Sequence, residues 1–186
     1  LIKAANTMEN PELRDLKQRI PHYAKSQQRN LEVLLNSSVL TPQQKWGCLL
    51  VSAALSRNAS LLKTIDAQSQ KFLSDTAKEA ALACIATMTL NNCGFRTKHW
   101  LGTDFEDLRF GLRNTVDLKP GISQADYEVW AIAASAINGC ELCIQAHSHT
   151  GQVEGLKIEQ VWEAVKIASV ISSLAQILHV HEVIDN

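Results

Sequence analysis

An all-α fold is what the sequence predicts, on three observations. Apolar residues recur at three- and four-residue steps over long stretches, the sustained alternation typical of strands is absent, and helix-start residues precede several of these stretches. With 46% hydrophobic residues among 186, the chain can bury a sizeable core, as one compact domain or as two short halves packed together.

Residues 1–12 read as an extension outside the core, and 13–186 as one helical domain. Thr41 followed by Pro42 is an N-cap and first-turn proline, opening a helix through Trp46, Leu49, Leu50, Ala53 and Ala54. Asn58 starts the next helix. Ser74 and Asp75 precede an alanine-rich helix from about Thr76 to Leu90, which Asn91, Asn92 and Gly94 are expected to stop. Residues 94–123, with mixed charge and a Lys119-Pro120-Gly121 turn signal, read as a connector holding at most a short helix. Ser123 with Asp126 resembles a capping box. Tyr127, Trp130, Ala131, Ala134 and Ile137 mark the buried face of the helix that follows, until Asn138 and Gly139 break it before Cys140. A last long helix runs from about Ile158 toward Val183.

An internal echo relates two stretches. Gln44–Ser56 (QKWGCLLVSAALS) and Tyr127–Gly139 (YEVWAIAASAING) share an apolar pattern and a Ser-Ala pair. If Ser52 corresponds to Ser135, Lys45, Arg57, Ser60 and Thr64 stand where the second half has Glu128, Cys140, Cys143 and His147. The chemistry then belongs to the second of two repeats, a degenerate one over about 13–93 and an active one over about 104–186.

Charge and cysteine usage narrow the function. Eighteen basic against nineteen acidic residues, with no Lys/Arg block, disfavour nucleic acid and anionic membrane partners. No apolar run is expected to approach the ~18 residues of a membrane helix, and the N-terminus lacks a signal-peptide layout, so the expected location is cytoplasmic. Five cysteines, an odd number without an export signal, argue against a structural disulfide framework and for a reversible, catalytic one. Cys48 and Cys84 sit in apolar helices and read as core residues; Cys93 is expected to be partly exposed.

The segment NGCELCIQAHSHT carries the chemistry. Two thiols three positions apart on one helix close a disulfide with little backbone movement, and a helix N-terminus favours a thiolate through its free amides and dipole. His147 follows Cys143 by one turn on the same face, where an imidazole can accept the thiol proton. His149 points off that face, and His179 and His181 read as surface or interface residues. Three other readings compete: buried small residues that happen to be cysteines, a zinc site using Cys140, Cys143 and His147 or His149, and, for Glu128 alone, a solvated helix carboxylate. Ligands on one helix enclose a tetrahedron poorly, and a second Cys-x-x-Cys is missing.

Glu128, eleven residues, Cys140-x-x-Cys143, three residues and His147 together resemble the signature of the alkyl hydroperoxide reductase AhpD family. The resemblance extends over PHYAKSQQRNLEVLLNSSVL, QKWGCLLVSAALSRN and LRFGLR, leaving out only about the first dozen residues. It implies an all-helical two-repeat subunit, a homotrimer, acting as a lipoyl-dependent peroxidase that also regenerates the peroxiredoxin AhpC. Electrons would come from dihydrolipoamide on a dehydrogenase-complex component, recharged by dihydrolipoamide dehydrogenase, with no tightly bound cofactor or metal. It further implies that Cys143 attacks peroxide and becomes a sulfenic acid. Cys140 would be the proton donor and resolving thiol, forming a disulfide with Cys143, while His147 is the general base and Glu128 orients it. One departure is visible: some members carry a histidine between the two cysteines, where this chain has Leu142 preceded by Glu141. Losing a donor and gaining a carboxylate there predicts a less reactive thiol than in histidine-bearing relatives. Two alternatives are a helical oligomeric binding protein with a redox-sensitive or zinc-binding pair, and a carboxymuconolactone decarboxylase-like enzyme. The latter acts on a lactone and needs no dithiol.

Overall fold

The computed structural model describes residues 11–113 and 121–184, and among them eight α-helices and no strand. The all-α prediction holds. The Lys119-Pro120 part of the expected turn lies outside the described residues, as do residues 1–10 of the expected extension.

The chain opens with α1 (Pro11–Gln18), whose Leu13 and Leu16 are fully buried, and a short 3-10 turn at His22–Ala24 that leads into α2 (Lys25–Asn36). α3 (Pro42–Leu55) starts at a complete capping box. Thr41 Oγ1 accepts from the Gln44 amide, and the Gln44 side chain accepts from the Thr41 amide. Asn58 caps α4 (Ala59–Ser69) by accepting from the Leu61 amide, and Ser74 caps α5 (Asp75–Leu101) by accepting from Ala77. α6 (Gln124–Asn138) begins at Ser123, which accepts from the Asp126 amide. The box is only half built there, because the Asp126 carboxylate accepts instead from Gln43 Nε2 at 2.7 Å and ties α6 to α3. α7 (Glu141–Val153) and α8 (Ile158–Ile184) complete the chain.

One boundary differs. α5 does not stop at Asn91, Asn92 and Gly94 but continues to Leu101, so the connector shrinks to a 3-10 turn at Thr103–Phe105 and the residues after it. Each supposed breaker has a tertiary use that outweighs its helix propensity. Asn92 is fully buried and donates to Ser135 Oγ of α6. Gly94 leaves space for the Phe110 ring, which a Cβ would meet at 2.1 Å. The actual stop is Gly102, whose φ of 86° ends the helix in a conformation natural to glycine.

α6 lies at the centre, packed against α3, α5, α7 and α8. Its apolar residues from Val129 to Ala134 are entirely buried. The Trp130 ring lies directly over Gly47 of α3, and its Nε1 donates to the Gln44 carbonyl at 3.1 Å, so two helices approach as closely as a missing side chain permits. Trp46 is buried as well, stacked on Phe72 with centroids 4.8 Å apart.

The helix order short, short, long occurs twice, as α3-α4-α5 and α6-α7-α8, and both long helices have 27 residues. α8 is displaced from α5 along the sequence by the same number of residues as Ser135 from Ser52, which is the register of the echo. By length and composition α8 is apolar enough to cross a bilayer, with a mean hydropathy of 1.4 over an 18-residue window. No unbroken apolar run marks it, because Glu163, Lys166 and Ser169 interrupt the pattern; its Ala164, Ile167, Ile171, Leu174 and Leu178 are buried, and the helix packs on α2, α3 and α6.

Candidate active site

The turn between α6 and α7 puts the two cysteines in place. Gly139 takes the left-handed conformation (φ 66°, ψ 37°) and ends α6, with the Cys140 amide donating back to the Ser135 carbonyl at 3.1 Å. Cys140 is then the N-cap of α7 and Cys143 lies in its first turn. The two are joined as a disulfide with Cα atoms 5.3 Å apart, the oxidised form of the pair. Cys140 is fully buried and Cys143 is 6% exposed. No side chain caps the first amides of α7, which leaves them and the positive end of the helix dipole to whatever negative charge forms on sulfur after reduction.

His147, one turn along α7, meets Glu128 of α6 with Nδ1 2.7 Å from Oε2. Sequence spacing could not join these two residues; the reversal at Gly139 does. Glu128 is only 4% exposed. A buried carboxylate accepting at Nδ1 fixes the neutral imidazole as the Nδ1–H tautomer, which leaves the Nε2 lone pair as the base. The helices are close enough here that a Cβ on Gly151 of α7 would stand 3.3 Å from Glu128 Cβ. Leu142 is 41% exposed and Glu141 is exposed, so the position that carries histidine in some relatives faces outward. His149 and His179 are exposed and His181 is half-buried.

Three further residues shape the site without having been singled out in the sequence. Asn92 of α5 donates to Ser135 Oγ at 3.0 Å and accepts from Asn138 Nδ2 at 2.9 Å, holding the last turn of α6. Arg96, one turn on, donates to the Asn138 carbonyl and stacks on Trp100, its guanidinium carbon 5.1 Å from the ring centroid. Gln124, at the start of α6, donates to Glu128 Oε1, the carboxylate oxygen that His147 does not use. The only trace of these roles in the sequence was the pair Asn91-Asn92, which reads as a helix stop.

The corresponding place in the first half holds different chemistry. Ser60, where Cys143 would be, accepts from Arg19 at 2.8 Å and has its single proton to give to either Asn58 Oδ1 or Glu182 Oε1, each 2.8 Å away. Lys45, where Glu128 would be, donates to the Leu35 carbonyl at 2.6 Å; burial pushes its ammonium below the usual lysine range, partly offset by Glu163. The other cysteines are free: Cys48 and Cys84 buried, Cys93 exposed. Burial drives the Cys48 and Cys84 thiols well above their ordinary range, and the negative charge of Glu128 adds to the rise at Cys84. Both are therefore poor nucleophiles at neutral pH. Among the described residues no three His, Cys, Asp or Glu side chains gather as a metal ion requires.

Known proteins share this chain's sequence over nearly its whole length. A protein from Corynebacterium aurimucosum named alkyl hydroperoxide reductase AhpD is 42% identical over 92% of this chain and 97% of its own. One of the same name from Rhodococcus erythropolis is 40% identical, covering 91% and 95%. A third, from Mycobacterium tuberculosis, is 44% identical, covering 88% and 92%. A family profile described as the carboxymuconolactone decarboxylase family matches residues 103–185, the part that contains the disulfide and its His147–Glu128 neighbours. With identities of 40–44% across matched lengths, the chain belongs to the AhpD family of alkyl hydroperoxide reductases.

Proposed function

We propose that the protein reduces alkyl hydroperoxides through the Cys140–Cys143 pair and that the same dithiol regenerates the peroxiredoxin AhpC. The observation that carries this reading is the juxtaposition of a two-cysteine disulfide at a helix N-terminus with a His147–Glu128 pair one turn away. In the reduced state, Nε2 of His147 takes the Cys143 proton. The thiolate attacks the terminal peroxide oxygen, the S–O bond forms as the O–O bond breaks, and Cys140 gives its proton to the departing alkoxide, which leaves as an alcohol. Cys140 then attacks the sulfenic acid of Cys143, the S–S bond forms and water leaves. A dithiol such as dihydrolipoamide on a dehydrogenase-complex component, itself recharged by dihydrolipoamide dehydrogenase, returns two electrons by two thiol–disulfide exchanges. A homotrimer in the cytoplasm completes the reading. The decarboxylase alternative has no use for a disulfide whose second cysteine stands one helical turn before the base.

Two substitutions test the roles. Glu128→Gln keeps the shape but removes the carboxylate that sets the tautomer, and hydroperoxide turnover with dihydrolipoamide should fall roughly a hundredfold, within the range for a misdirected general base. Turnover within about twofold of wild type would sink the relay. At position 142 the outward-facing side chain can be exchanged without disturbing the core, and Leu142→His should raise the rate at which reduced protein reacts with peroxide by about three- to tenfold. A rate that is unchanged or lower would show that Leu142 does not limit the thiol.

A further inference from the structure

Glu128 has two carboxylate oxygens, and each has its own partner. Oε2 meets His147 Nδ1 at 2.7 Å, while Oε1 accepts from Nε2 of Gln124, four residues earlier on the same face of α6. We infer that Gln124 is a positioning residue that holds the Glu128 carboxylate in the orientation which directs the His147 lone pair toward the redox cysteines. The inference rests on the peroxidase reading for its catalytic consequence, though its structural half stands without it.

The carboxylate is anchored because neither oxygen can turn to water. Glu128 is 4% exposed, and the close approach of Gly151 to its Cβ confines the side chain between α6 and α7. A carboxylate rotating about its last torsion would exchange its oxygens and lengthen one bond or the other. An amide that donates to Oε1 removes that freedom, because any rotation breaks two bonds at once. The choice of donor matters too. Gln124 brings an N–H without a charge, so it satisfies the oxygen without competing as a cation for the negative charge that orients His147. In the first half the corresponding pair is Thr41 and Lys45. There Thr41 Oγ1 accepts from the Gln44 amide and Lys45 Nζ donates to the Leu35 carbonyl, so the pair does not repeat the amide–carboxylate bond.

Gln124 is half-buried and occupies the first position of α6, where substitutions leave the core intact. Gln124→Met matches its length and lacks the donor; Gln124→Glu matches its shape and replaces the donor by an acceptor that repels Oε1. The readout is the tautomer of His147, seen in a two-bond ¹⁵N–¹H correlation spectrum of histidine-labelled oxidised protein and assigned by its loss in His147→Gln. In the neutral imidazole, reached by raising the pH until the ring nitrogen shifts stop changing, wild type should show a protonated Nδ1 and an unprotonated Nε2. Both variants should show the two nitrogens averaged toward each other. With dihydrolipoamide and an organic hydroperoxide, kcat should fall about tenfold while KM stays within about twofold, as expected for a base that is present but misdirected. A pair that merely stabilises the helix would leave both signals unchanged, and wild-type nitrogen shifts in the two folded variants would overturn the inference. Because the spectrum needs no turnover, averaged tautomers in a protein that reduces no hydroperoxide would uphold the positioning role and remove only the peroxidase reading.

Discussion

Cys143→Ser should lower hydroperoxide turnover by at least about a thousandfold, the difference between a thiolate and an alcohol as nucleophiles at neutral pH. Cys143 sits in the uncapped first turn of α7, one turn before an imidazole whose tautomer is set by Glu128. The remaining cysteines offer no substitute. Burial holds Cys48 and Cys84 in their neutral thiol forms, and Cys93 lies outside the α6–α7 turn. Cys140→Ser makes the complementary case. It should permit one equivalent of peroxide to be consumed and then stop, leaving Cys143 as a sulfenic acid that a thiol-reactive trap can label, because no neighbour remains to resolve it. A burst in Cys140→Ser with none in Cys143→Ser assigns the attacking thiol. The reverse pattern would exchange the roles of the two cysteines. Full turnover in both variants would show that the disulfide is not on the catalytic path, whereas no turnover even in wild type would favour a helical binding protein whose cysteines merely respond to oxidant.

How much of this was legible in the sequence depends on whether the determining contact is local. Thr41 with Pro42, Asn58, Ser74 and Ser123 cap their own helices through an amide three residues on, so local chemistry announced them, and the structure builds each cap, though at Ser123 without the reciprocal half of the expected box. Asn92 and Gly94 carry the same kind of local signal, and it misleads, because their partners Ser135 and Phe110 are distant in sequence. The site divides along the same line. Cys140, Cys143 and His147 lie on one helix, and their periodicity suffices to place them together. Glu128 came only with a family pattern, since a helix turn had to be folded before its carboxylate met the imidazole. Gln124, Asn92 and Arg96 were not read as site residues, because a glutamine at a helix start, an asparagine in an apparent stop and a surface-like arginine each have commonplace readings. What makes them part of the site is a hydrogen bond across helices or to a residue whose own role was not yet known.

The largest expected loss of stability comes from Gly47→Ala, a single added methyl group. Its Cβ would stand 2.0 Å from Trp130 Cε2 and 2.1 Å from Nε1, closer than atoms can approach. Neither side can yield easily. The indole is fully buried and tied through Nε1 to the Gln44 carbonyl, while the helices that carry the two residues lie at the middle of the core. Overpacking of this kind costs about 3 kcal/mol, at the upper end of its usual range, and should lower Tm by roughly 6–12 °C for a chain of this length. Thermal unfolding checks the magnitude, and a second substitution checks the cause. Trp130→Leu alone empties a buried site and should also destabilise, by about 3 kcal/mol. Combined with Gly47→Ala, however, it removes the obstructing ring, so the double variant should be more stable than the two losses added together imply, by about 1–2 kcal/mol. Additive losses would mean that α3 and α6 move apart without strain and that the close approach is incidental. The distinction bears on function, because Glu128 lies two residues before Trp130 on the same helix. If α6 shifts to admit the methyl, the carboxylate shifts with it, and Gly47→Ala should lose hydroperoxide turnover even at temperatures where it remains folded.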